Sequence, residues 1–105
     1  MSATALPRKN DDLKIQYALK DAAGAWIPLS GATVLGYLLR PTAGIVTADT
    51  VNVISSPITY NVELVFGKAK MTDTGQHKAQ VKITNADSTV LHSEIDVFSV
   101  LDNLA

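Results

Sequence analysis

Asp73 and His77 stand four positions apart across a glycine, in the run Asp73-Thr74-Gly75-Gln76-His77. A carboxylate and an imidazole meeting across a turn could serve as orienter and general base for a Ser or Thr nucleophile. No nucleophile elbow and no glycine-rich oxyanion loop accompanies the pair. The other reading of the same residues is architectural. A ring placed just after Gly75 turns inward at a sheet corner, and its polar atom bonds a backbone group upstream, for about 0.5–1.5 kcal/mol net. Gly75 and His77 are therefore expected to hold a structural corner, and no catalytic residue is assigned.

The remaining chemistry-bearing residues are sparse. His92 falls out of phase with its apolar neighbours and reads as a solvated strand residue. Two histidines without a single cysteine fall short of the three or four ligands of a zinc site. The aspartates sit at turns and strand starts, where Asp bonds nearby backbone, and no Asp-x-Asp-x-Asp-Gly loop occurs. No metal and no cofactor are expected. Trp26 is the sole tryptophan and lies between a turn and Pro28, the best placed aromatic for an exposed contact. Tyr17 and Tyr60 fall in phase with apolar residues and read as core.

The elements that must position these residues have a period of two. Leu13, Ile15, Tyr17 and Leu19 alternate with polar positions, as in a half-buried strand. Asp21 and Gly24 punctuate the turn that follows, and a strand is predicted from Thr33 to Arg40, with Gly36 marking a bulge or a close backbone approach. Residues 45–54 and 58–67 read as two further strands. In the next one, His77, Ala79, Val81 and Ile83 form the inward set, and Lys78, Gln80, Lys82 and Thr84 face water. Residues 85–89 are a hairpin turn by composition, and the last strand places Leu91, Ile95 and Val97 on one face. Short strands with a turn every eight to twelve residues predict an all-β antiparallel sandwich of about seven strands. Residues 1–11 are small, polar and mildly basic. They read as an N-terminal arm ahead of a sandwich domain spanning 12–105, with Arg8 and Lys9 as candidate contacts to an acidic neighbour.

The bulk numbers bound the function. The 105 residues are 47% hydrophobic and 18% charged, enough for one globular domain. Nine Lys and Arg against ten Asp and Glu leave a formal charge of −1, no electrostatic footprint for nucleic acid or an anionic membrane. No apolar run approaches the roughly 18 residues of a bilayer span, and the N-terminus does not read as a secretory signal.

Two stretches carry a resemblance. Pro28-Leu29-Ser30-Gly31-Ala32-Thr33-Val34 and Thr74-Gly75-Gln76-His77-Lys78-Ala79-Gln80-Val81 resemble the immunoglobulin-like domain at the N-terminus of phage baseplate upper proteins and related tail-associated proteins. The likeness covers nearly the whole chain beyond the arm. His77 stands where that family usually has Tyr, and the long C-terminal extension that often carries receptor-binding modules is missing. The resemblance implies an immunoglobulin-like sandwich acting as a non-catalytic structural subunit of a tailed-phage virion, in the tail, baseplate or fibre attachment. The implied partners are other virion proteins, in a symmetric homo-oligomeric assembly, with no nucleic acid and no membrane. A capsid decoration protein and a carbohydrate- or receptor-binding module are the alternatives.

Overall fold

A computed structural model describes residues 7–57 and 59–103. The described residues form eight strands: β1 (Leu13–Tyr17), β2 (Thr33–Arg40), β3 (Gly44–Thr47), β4 (Thr50–Val53), β5 (Val62–Phe66), β6 (Gly75–Thr84), β7 (Val90–His92) and β8 (Asp96–Val100). Among the described residues the one helical element is a 3-10 turn at Lys68–Lys70. The strands make two antiparallel sheets, β1-β5-β4 and β3-β2-β6, the latter continued on its far side by β7 and β8, which pair with successive stretches of β6. The fold is the all-β antiparallel sandwich that the alternation predicts, in the immunoglobulin-like form that the resemblance implies.

The alternation also fixes what lies between the sheets. Leu13 and Tyr17 of β1, Val62, Leu64 and Phe66 of β5, and Ala79, Val81 and Ile83 of β6 are buried together with Leu38, Met71 and Val100. Gly36 lies opposite Leu64, and a methyl group added there would overlap that side chain. The glycine is thus a close approach of the two sheets, not a bulge.

Two expected strands divide, each for a physical reason. Residues 45–54 do not run as one strand. β3 pairs with β2 in one sheet and β4 with β5 in the other, so the chain changes sheets at Ala48-Asp49. Asp49 holds that crossing: its Oδ2 accepts the Gly67 N–H at 2.6 Å, and its Oδ1 lies 3.0 Å from Lys70 Nζ.

The last strand breaks at a bulge. β7 pairs Lys82 with His92 and β8 pairs Ala79 with Asp96, so Gln80 and Val81 face three residues, Ser93, Glu94 and Ile95. One extra residue reverses the parity of everything beyond it. Ile95 and Val97 therefore stand outside, 55% and 54% exposed, while Phe98 and Val100 turn inward. Leu91 keeps the core-side phase opposite Ile83, so it does not share a face with Ile95 and Val97. The unbulged register would bury Ile95, Val97 and Ser99 and turn Asp96, Phe98 and Val100 outward, giving up the stacking of Phe98 on His77. The bulge is further held by Ser93, whose Oγ accepts the Val81 N–H at 2.9 Å and whose carbonyl accepts from Gln80 Nε2 at 2.9 Å.

Of the expected N-terminal arm, residues 1–6 lie outside the described residues. Residues 7–11 run against the body of the sandwich. Arg8 bridges Leu101 in parallel, Lys9 N–H donates to Leu101 O at 2.8 Å, and Leu101 N–H donates to Pro7 O at 3.0 Å.

Candidate functional site

The corner at the start of β6 assembles from the turn upward. Gly75 adopts φ +106°, a region that disfavours any side chain with a Cβ. That turn delivers His77 into the core, where the ring is fully buried. Its Nδ1 lies 2.9 Å from Gly75 O. A carbonyl only accepts, so Nδ1 carries a hydrogen in this contact. Nε2 is buried without a hydrogen-bond partner, and the ring stacks on Phe98 with centroids 5.9 Å apart at 26°.

Asp73 does not join His77. Its Oδ2 accepts the backbone N–H groups of Thr42 at 2.9 Å and Ala43 at 2.7 Å, clamping the β2–β3 turn from thirty residues away. These two donors hold its carboxyl below the usual carboxylate range, with Thr72 and the nearby Arg40 adding to the effect. Arg40 closes the same corner by donating to Gly44, Ala43 and Lys70 carbonyls. The carboxylate and the imidazole flank one turn and serve different bonds.

Trp26 is half-buried. Its backbone bridges Lys20, and Lys20 Nζ lies over the indole ring, 4.5 Å from the centroid. One face of the indole is thus covered by an ammonium group and is no open stacking platform. With Leu29, Val53, Ile54 and Pro57 the indole lines a groove of about 430 Å³ at one end of the sandwich. Arg8 donates from Nη1 to Asp102 O at 2.8 Å, and the Lys9 carbonyl accepts from Asn103 Nδ2, so both candidate contact residues are tied to the chain's own C-terminal segment. His92 is exposed on β7.

Two polar groups of consequence escape a reading by residue type. Asn61 is 1% exposed, and its amide reproduces a strand partner. Oδ1 accepts the Leu19 N–H at 2.8 Å, Nδ2 donates to Leu19 O at 3.1 Å, and its own N–H donates to Tyr17 O. Asn61 falls in the water-facing phase of the strand expected over residues 58–67, so the alternation gives no sign of its burial. Tyr17 places its hydroxyl in the buried gap between β1 and β8, without a hydrogen-bond partner. Burial pushes that phenol well above its ordinary range, and the Asp96 carboxylate adds to the shift. Among the described residues, no three His, Asp or Glu side chains cluster as metal ligands would.

The two outer faces differ in kind. On the three-stranded sheet, Gln16, Glu63 and Asn52 stand side by side. Gln16 Nε2 and Asn52 Nδ2 each donate to a Glu63 carboxylate oxygen at 3.1 Å, which holds that carboxyl below its usual range. This face satisfies itself. On the five-stranded sheet, cross-strand neighbours run Ile45, Leu39, Lys78, Val97 in one row, with Tyr37 and Gln80 in the next. Ile45 is 67% exposed, and a shallow hollow of about 160 Å³ lies between Tyr37, Leu39, Ile45, Lys78, Gln80 and Ile95. Apolar side chains here surround a cation, and the arrangement suits non-covalent docking.

No protein-family model matches the chain, and no curated protein matches it. Among solved structures the chain is similar to murine CRIg, with 16% identity over 94% of this chain and 91% of that one, at a TM-score of 0.44.

Proposed function

We propose that the chain is a structural, non-catalytic subunit of a tailed-phage virion, a tail, baseplate or fibre-attachment component that works through contacts with other virion proteins. The observation that supports contact work is the contrast between the outer faces. One is a closed polar ladder, and the other leaves Leu35, Leu39, Ile45, Ile95 and Val97 at 39–67% exposure around lysines. Contiguous exposed apolar residues on a small domain mark an interaction surface. The placement on a phage rests on the resemblance at Pro28–Val34 and Thr74–Val81. Affinity in such a particle comes from modest contacts repeated by symmetry.

Antibodies raised against the domain test this directly, by electron microscopy of phage particles released from cells that express the chain. Gold at the tail or baseplate is the expected result. Gold over the shell would favour capsid decoration instead, and unlabelled particles would overturn the proposal. Trp26, with Lys20 across its ring, offers less support to a glycan-binding reading.

A further inference from the structure

We infer that the outer face of β2, β3, β6 and β8 docks a protein strand or sheet whose facing side chains alternate between apolar groups and carboxylates. The inference rests on the reading of this face as the contact surface and goes on to name its occupant.

Three features of the face select that chemistry. The first is apolar exposure: Leu35, Leu39, Ile45 and Val97 point outward, as the registers of β2 with β3 and β6 and of β6 with β8 require, and Ile95 in the bulge lines the hollow beside them. The second is charge. Lys78 and Lys82 rise from β6 through the middle of the patch, and among the described residues neither lies within ion-pair distance of a carboxylate. The third is the absence of the opposite sign: no outward strand position of β2, β3, β6, β7 or β8 is Asp or Glu, and the neighbouring Glu94 and Asp96 line a different groove, beside Tyr17 and Leu19. At roughly 3.3 Å per residue the two lysine Cα atoms stand about 13 Å apart along the strand. A facing strand meets them with carboxylates four residues apart and an apolar residue midway, above Gln80 and the Tyr37–Ile95 hollow.

The same features argue against other occupants. A second copy laid face to face would bring lysines against lysines with no acid to interleave, and like charges meeting across an interface cost affinity. A polyanion without apolar groups would use the lysines and leave Ile45, Leu39 and Val97 wet. Only a partner offering both chemistries covers the patch without stranding a charge.

The test is titration of the isotope-labelled domain, followed by amide chemical shifts, with a short strand peptide bearing alternating Glu and Val on one face and Thr on the other. Two comparison probes are the same peptide with Lys for Glu, and polyglutamate. The expected result is saturable shifts at β2, β3, β6 and β8 with the acidic peptide, weaker binding by both comparison probes, and a loss on the order of tenfold in the Lys78→Glu/Lys82→Glu double variant. Equal binding of either comparison probe, shifts confined to the other sheet, no shift up to millimolar peptide, or concentration-dependent dimerisation through this face would each overturn the inference. The titration needs no virion, so a failed particle-labelling experiment leaves it intact, and the reverse also holds.

Discussion

At the scale of single residues, buried polar atoms do more to shape this domain than any reactive pair. Asn61 supplies two hydrogen bonds to Leu19 in the core. Asn61→Ala would strand a buried N–H and a buried carbonyl, costing about 1–3 kcal/mol for each group left unpaired. Urea unfolding should show the loss as a lower midpoint with an unchanged slope. Gly75→Ala should also destabilise, because φ +106° is closed to a side chain whatever space surrounds it. An expected cost of about 1–3 kcal/mol follows from forcing a Cβ into that region, and thermal melts would read it. The inward placing of His77 was legible in the sequence, since it falls in phase with Ala79, Val81 and Ile83. The partners of Asp73 were not. Residue type announces that an aspartate will accept backbone hydrogens, but whether they lie two residues away or thirty depends on how the β2–β3 turn comes to rest.

At the scale of elements, hydrophobic period located most strands and misplaced one phase. β1, β2, β5 and β6 follow their alternation because nothing interrupts the pairing. Residues 90–100 carry apolar side chains in both phases, and the bulge decides between them. Local sequence could not choose, because the two registers differ in contacts made across the sheet, Phe98 against His77 and Ser93 against Gln80 and Val81. The balance can be tipped. In a Phe98→Ser/Ser99→Val double variant, the inward set of the bulged register loses an aromatic ring, worth about 1.5–3 kcal/mol of burial. The unbulged register would then bury Ile95, Val97 and the new valine. The expected outcome is a one-residue slip of β8, seen as nuclear Overhauser contacts from His77 to Val97 in place of residue 98. Unchanged contacts would show that Ser93, not Phe98, sets the register.

At the scale of the whole molecule, carboxylates that accept backbone and amide hydrogens pin turns and join strands. Asp49, Glu63, Asp73 and Asp87 all have pKa values held below their ordinary range, led in Asp49 by the Gly67 N–H and in Asp87 by Thr89. A depressed folded value means the unfolded state binds the proton more readily. Their stabilisation is therefore present above the ordinary carboxylate range and drains away as pH falls through the depressed values. Melting temperature measured from neutral pH downward should hold nearly level and then drop across that acidic interval, and Asp73→Asn should flatten part of the fall. The seam between residues 7–10 and 101–103 has another consequence. The two segments lie parallel, so the chain enters at one end of the seam and leaves at the other. Tension drawn between Pro7 and Asn103 would stretch those bonds together, in shear, instead of unzipping them one by one, and the domain would resist pulling along that axis better than its modest number of bonds suggests.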